Sequence, residues 1–336
     1  MLKMLSEVHA ERGVRRAWPA TDGTLTLETR DASGALRAGR LGPDGLELAV
    51  PGRDRKLPGL AAVAREGHVV VHRLHKRAVV RVGDGYVKVV RPGRADGIRA
   101  ASEAGAAACA AAGLGAAEVL AHTDDTITFA RLPGRTLHEL GHVGLPGWAA
   151  LARMWPAFAA SGASDGLGEH DAAREAATLA GWLDHLDRFD ALPGRRAALR
   201  RAGEQVAADL TSGRPDVEGL VHRDLHDKQV LWHAPTGPPG LLDLDTVARG
   251  EPALDLANLA AHVDLRVLQG VLPADAAQRV HRLLAEVAPA VGATQARLDV
   301  YGRSARLRLA CVYAFRPAEA GWLDAWVDDA LGAGVG

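Results

Sequence analysis

Side chains able to do chemistry crowd into one stretch, residues 219–256. Within it "HRDLHDKQ", His222–Gln229, sets Asp224 five residues before Gln229, and "GLLDLD" puts Asp243 and Asp245 straight after an apolar run. The neighbouring runs "GLV", "VLW" and "GLL" read as buried strand. A carboxylate beside such strands is costly unless it is paired, hydrogen-bonded or holding a cation. A hairpin of "VLW" and "GLLD" brings the 224–229 loop close to Asp243. Asp224 is then a carboxylate able to take a proton. Gln229 and Asp243 are oxygen donors suited to a hard cation such as Mg²⁺. A positioned base beside metal-neutralised phosphates is what phosphoryl transfer requires, with little covalent chemistry from the protein.

The elements that must position these residues follow from hydrophobic periodicity. Residues 1–66 are β-rich: "TLTLETRD", "ALRAGRL" and "LELAVPG" are short strands parted by turns, and "PGRDRKLPG" reads as loop. Residues 68–91 give three strands, with "GDG" as a hairpin turn because glycine tolerates positive φ. Alternation in "YVKVV" puts Tyr86, Lys88 and Val90 on one face. An Ala-rich helix spans about 95–112 and stops at Gly113 and Gly115. A second hairpin turns at Thr123–Asp125. From about 145 the pattern is helical (146–160, 169–190, 194–210, 252–267, 273–288, 294–313 and 318–331), interrupted by the short strands of the charged stretch.

These motifs, in this order, resemble the aminoglycoside phosphotransferase family of the protein-kinase-like superfamily. "HRDLHDKQ" is similar to its HxDxxxxN catalytic loop, and "LLDLDTVARGEPALDLA" to its metal-binding Asp and "GDPAxDLA"-type segment. The Gln at 229 is also similar to maltokinase and related sugar-kinase members. The resemblance covers residues 68 to about 330. It implies an α+β, bilobal protein-kinase-like fold, with a small β-rich N-lobe carrying one long helix and a larger, mainly helical C-lobe. Residues 1–66 become an N-terminal β-rich extension or cap, 67–132 the N-lobe and 133–336 the C-lobe. The implied function is ATP-dependent transfer of a phosphoryl group to a hydroxyl of a small molecule, a sugar or amino sugar. An aminoglycoside acceptor and a pseudokinase-like binding protein are the alternatives.

By the same resemblance, Asp224 is the catalytic base, and Gln229 and Asp243 hold Mg²⁺, with Asp245 a lesser candidate. Lys88 reaches the ATP phosphates and Glu103 on the long helix pairs with it. "ITFARLPGRTL", with Phe129 and Arg131, is the hinge against adenine. Asp255 is a helix-start carboxylate bracing the catalytic loop, and His222 a bracing histidine. The chain departs from the family at Gln229, where Asn is usual, and at Arg223, where the residue is usually small. It also lacks a glycine-rich loop. The first strands meet at "RLHKR", whose His75, Lys76 and Arg77 offer charge to phosphates instead.

Composition sets outer bounds. The 336 residues are 48% hydrophobic and 24% charged with net charge −1, so nothing calls for a nucleic-acid or membrane partner. Cys109 and Cys311 form no motif and read as buried free thiols. "MLKMLSEVHAERG" has no apolar signal core, and a cytoplasmic location is expected. No GxxxxGK[ST] occurs. "HELGH", His138–His142, matches a zinc-protease pattern, but Gly141 lies inside it, so it reads as a short helix after the hinge. Trp322 and Trp326 read as core. Asp264, Asp324, Asp328 and Asp329 are the acidic residues a polycationic acceptor would need.

Overall fold

The computed structural model describes residues 8, 13–162, 167–233, 237–316 and 320–332. The expected start of the last helix, at 318, lies outside them. From Val14 the described residues form an antiparallel meander of β1 (Val14–Pro19), β2 (Leu25–Arg30), β3 (Leu36–Gly42) and β4 (Gly45–Leu48). Helix α1 (Leu60–Glu66) follows. Reading 1–66 as strands and loop missed it, because a seven-residue helix offers too few turns for periodicity to register.

The small lobe is a second sheet, ordered β5-β6-β7-β10-β9. Its strands β5 (His68–Arg73), β6 (Arg77–Val82) and β7 (Gly85–Val90) precede the long helix α2 (Ala95–Ala111). After the short β8 (Gly115–Ala116) come β9 (Val119–His122) and β10 (Thr126–Ala130). The "GDG" turn closes the β6–β7 hairpin with Val82 opposite Gly85. Next come β11 (Arg135–Thr136), α3 (Leu137–Leu140), α4 (Leu145–Ala159), α5 (Ala172–Phe189) and α6 (Arg196–Ser212). The charged stretch supplies β12 (Gly219–Val221), β13 (Val230–Trp232), β14 (Gly240–Leu241) and β15 (Ala248–Gly250), and the chain finishes with α7 (Ala253–Leu268), α8 (Ala274–Ala290), α9 (Gln295–Tyr313) and α10 (Ala320–Ala330). This is the bilobal α+β architecture of the protein-kinase-like fold.

The opening meander does not extend the small-lobe sheet. Leu25, Leu27 and Leu41 belong to the same continuous core as the helical lobe, whereas Ala78, Val80 and Val89 of the small lobe pack with Leu57 and Leu60 in a separate cluster. Hydrogen bonds tie the meander to both lobes. The His72 N–H of β5 donates to buried Glu28 at 3.0 Å, and Arg188 of α5 donates to the Thr21 carbonyl at 2.7 Å. No helix among the described residues is long and apolar enough to cross a membrane. Cys109 and Cys311 are buried free thiols, and burial pushes both up to about 12.

Trp326 is fully buried and donates to the Arg306 carbonyl at 3.2 Å, while Trp322 is half-buried with its ring edge-on to Tyr313. The helical lobe is cross-linked by buried carboxylates. Glu251 takes two bonds from Arg297, at 2.6 and 2.7 Å, and one from Tyr301. Glu175 on α5 accepts from Ser304 of α9 at 2.8 Å and lies 3.2 Å from His170. Burial works to raise the Glu175 carboxyl. The His170 bond, the Arg308 charge and Ser304 outweigh it and leave the group at about 2 against a usual 4.5. A depressed carboxyl stabilises the fold above its unfolded value, and the contribution, about 3 kcal/mol, is lost as pH falls from 4.5 toward 2. Urea titrations of wild type and Glu175→Gln should therefore differ most near pH 6, with the gap closing by that amount on acidification. A gap independent of pH would remove Glu175 from this role.

Candidate active site

A cleft of about 490 Å³ separates the lobes. From the sequence-derived set it takes Lys88, Phe129, Arg131, Gln229 and Asp243; Asp245 also lines it. Phe129 lies on β10 opposite Tyr86, and Arg131, just beyond, pairs with Asp84 at 3.2 Å, so the hinge stretch forms one wall.

The opposite wall is made by the β13–β14 hairpin. Val230 faces Leu241, and the Leu242 N–H donates to the Gln229 carbonyl at 2.9 Å, which sets Gln229 beside the Asp243 turn. Asp243 has φ +56° and opens a 3₁₀ turn, Leu244–Thr246. Asp tolerates this left-handed conformation better than most side chains. Helix α2 packs onto the turn through Gly105, where a Cβ would sit 2.9 Å from that of Leu244.

Lys88 crosses the cleft. Its ammonium donates to Asp243 at 2.9 Å and to Asp245 at 2.6 Å. Burial works to raise both carboxyls. At Asp243 the Lys88 and Arg77 charges outweigh it and hold the group well below the usual range. At Asp245 burial and the neighbouring Asp243 charge win over Lys88 and push the group up.

The expected Lys88–Glu103 pair does not form. Glu103 is half-exposed and pairs with Arg99, four residues earlier on α2, at 2.6 Å. The phase of the helix decides this. Ser102, Gly105, Ala108 and Cys109 are its buried face, and Ser102 lines the cleft. Glu103 is one residue, about 100° of rotation, away from Ser102. The exposed Glu118 side chain is no substitute.

The 222–229 loop is braced from beneath. Asp255, fully buried at the start of α7, accepts the His222 N–H at 2.6 Å and the Arg223 N–H at 2.9 Å. Burial pushes its carboxyl up to about 6, against the pull of the nearby His222 and these two donors. One helical turn on, Asn258 donates to the Leu225 carbonyl at 2.9 Å. The His222 ring, also buried, lies 2.8 Å from the Leu242 carbonyl and so donates to it, tying the loop to the strand that leads into Asp243. Between these anchors Arg223 takes φ +73°, a conformation non-glycine residues avoid.

Asp224 rides on top of this loop. It does not line the interlobe cleft, its side chain is 47% exposed, and it accepts no hydrogen bond among the described residues. Its neighbour is His226 Nε2, at 3.8 Å. The Lys228 N–H donates to His226 Nδ1 at 3.1 Å, so the neutral ring carries its proton on Nε2, facing Asp224. Burial lowers the His226 ring and keeps it neutral.

Behind the loop, His226, Asp227 and His262 bring metal-type atoms within 4.8 Å of one another. The space is already held by a cation. Arg266 donates to both Asp227 oxygens, at 2.7 and 2.9 Å, and to His262 Nδ1 at 3.2 Å. His138 of the "HELGH" segment lies 2.8 Å from Asp227. In that segment α3 ends at Leu140 and Gly141 has φ +54°, so no continuous helix joins His138 to His142, and Glu139 closes a capping box with Thr136. The zinc-protease geometry is absent. The sequence also gave no warning of the Asp227–Arg266 pair, whose members lie 39 residues apart.

Asp255 should matter without touching substrate. Asp255→Ala leaves two buried N–H groups unpaired and should cost about 2–4 kcal/mol in chemical denaturation, with Asp255→Asn intermediate. An Ala variant as stable as wild type would mean the loop finds other partners.

A model described as "Phosphotransferase enzyme family" matches residues 64–289. No curated protein matches the chain in sequence. Among solved structures, a thermostable mutant of aminoglycoside phosphotransferase APH(4)-Ia is 18% identical, with 80% of this chain and 95% of that one covered and a TM-score of 0.57. The amicoumacin kinase hAmiN is 14% identical, with 79% and 88% covered and a TM-score of 0.56. A choline/ethanolamine kinase family protein from Mesorhizobium loti is 17% identical, with 82% and 88% covered and a TM-score of 0.51. At these identities the structures establish a shared fold. The family match spans well over half of the 336 residues, and the chain belongs to the phosphotransferase enzyme family, within the protein-kinase-like superfamily.

Proposed function

We propose that the chain transfers the γ-phosphoryl group of ATP to a hydroxyl of a sugar or amino sugar, with Asp224 as the base. The coarser part follows from the family: the chain is an ATP-dependent kinase acting on small-molecule hydroxyls. The observation that supports the nucleotide and base assignments is the gathering of Lys88, Gln229, Asp243 and the hinge in one cleft, with Asp224 on the adjoining loop and free of hydrogen bonds among the described residues.

The residues suit the nucleotide and its metal. Asp245 Oδ1 is buried with no hydrogen-bond partner among the described residues, so the Asp243–Asp245 turn keeps an oxygen to spare for a cation. Gln229 and Asp243 would hold Mg²⁺, with Asp245 beside them. Bound there, the ion neutralises phosphate charge. Lys88 supplies a positive charge at the same place and orients the phosphates. Asp224 accepts the hydroxyl proton of the acceptor. Positioning and electrostatics provide most of the rate.

An aminoglycoside acceptor is the second reading. One solved phosphotransferase of similar fold is an aminoglycoside enzyme, and the amicoumacin kinase is named for its own acceptor. The acidic residues expected to receive a polycation are largely committed. Arg306 bonds Asp264 and Asp329, and Arg195 pairs with Asp328 at 2.7 Å.

ADP release with MgATP across sugars, amino sugars and aminoglycosides tests both. Asp224→Asn should retain ATP binding and lose turnover by about 10²–10⁴-fold; normal turnover would refute the base assignment. Asp243→Ala should lose the Mg²⁺ dependence of nucleotide affinity, and an unchanged Mg²⁺ dependence would take it out of the metal site.

A further inference from the structure

Protein-kinase-like enzymes with a glycine-rich loop bind phosphates through its backbone N–H groups. Here the corresponding β5–β6 tip has no glycine, and the N–H groups of His75 and Lys76 are in use. The His75 N–H donates to Asp54 at 2.7 Å and the Lys76 N–H to the Arg73 carbonyl at 3.0 Å. The His75 ring is also turned to Asp54, at 3.7 Å, and of His75, Lys76 and Arg77 only Arg77 lines the cleft. Phosphate binding at this end of the cleft must come from side chains.

A second cation reaches the cleft from outside the family-matched region. Arg16 of β1 lines it together with Arg77 and Lys88. The β1–β2 register shifts between Val14 and Arg16, an irregularity of the kind that re-aims side chains beside active sites. Arg15 pairs with Glu28 at 3.4 Å, whereas Arg16 has no carboxylate partner among the described residues. The strand beneath is firmly held. Trp18 lies against the guanidinium of Arg73, 5.2 Å from the ring centre, and that of Arg316 at 5.3 Å, and Arg316 donates to the Ala17 carbonyl. These cations exceed their counterions. Arg73 Nε is buried without a partner, and burial together with the Arg16 charge lowers Arg316 to about 10.

We infer that the N-terminal sheet completes the nucleotide site, with Arg16 joining Arg77 to bind the triphosphate in place of a glycine-rich loop. The inference rests on the reading of the cleft as a nucleotide site. It gives the meander a direct part in nucleotide binding: an anionic ligand would meet cations from β1, β6 and β7 at once.

The test is equilibrium binding of MgATP and of adenosine to the full chain carrying Arg16→Ala, Arg16→Glu or, as the control on the same strand, Arg15→Ala. Arg16→Ala should raise the Kd for MgATP on the order of tenfold, and Arg16→Glu further, as expected for one charge-assisted phosphate contact. Adenosine affinity should stay unchanged, as should MgATP affinity in Arg15→Ala. MgATP affinity unchanged in both Arg16 variants would overturn the inference, as would an equal loss for adenosine, which would indicate damage to the fold. A loss confined to the acceptor KM would reassign Arg16 to the acceptor and overturn it too. If wild type bound adenosine but gained nothing from the triphosphate, or bound neither, the nucleotide reading itself would fall.

Discussion

A carboxylate with no access to water anchors the site. Asp255 lies wholly inside the helical lobe, where a charge is expensive, and its two short bonds from consecutive backbone N–H groups offset that cost. They hold Arg223 in a left-handed conformation, and the turn so fixed presents Asp224 to solvent. Without a buried acceptor the positive φ would relax, since each such residue costs about 1–3 kcal/mol. Helix α7 thus serves as the floor of the site, with Asp255 and Asn258 gripping one loop from a single face.

The floor is in turn fixed to the rest of the lobe. Arg308 of α9 bonds Asn258 at 2.7 Å, Arg266 clamps Asp227, and Arg297 with Tyr301 holds Glu251 just ahead of α7. Breaking one partner of such a pair leaves an uncompensated charge in the core. The polar network therefore specifies the loop geometry, while the apolar contacts around it supply most of the favourable energy. Above the loop Lys88 bridges the cleft to two carboxylates of the opposite wall, and Arg77 stands 3.9 Å from one of them, Asp243.

The extension changes how the bilobal fold is assembled. Its leucines pack into the core of the helical lobe while its polar groups reach the small lobe through Glu28 and His72. It therefore bridges two bodies that meet elsewhere along the hinge and the cleft. The β5–β6 tip, which has no glycine, is pinned by Asp54 from the loop that follows the sheet.

Much of this was legible in the residues. The three strands and long helix of the small lobe, the helical succession after 145 and the hairpin joining Gln229 to Asp243 all follow from local periodicity and turn chemistry, which neighbouring residues fix between themselves. The bracing role of Asp255 came from the family resemblance of its segment, and its bonds to His222 and Arg223 bear it out. Contacts between distant segments were not legible. Glu103 and Ser102 are adjacent in sequence, and only packing against Leu244 decides which of them faces the cleft. Lys88 finds Asp243 and Asp245, 155 and 157 residues away, because the lobes bring β7 over the 3₁₀ turn. Arg16 enters the cleft through a strand irregularity that no local pattern signals. Sequence alone determined the elements and the chemical inventory, since those depend on short-range sterics and hydrophobic spacing. Tertiary structure decided which charges meet, since pairing depends on helix phase and lobe placement set by the whole core.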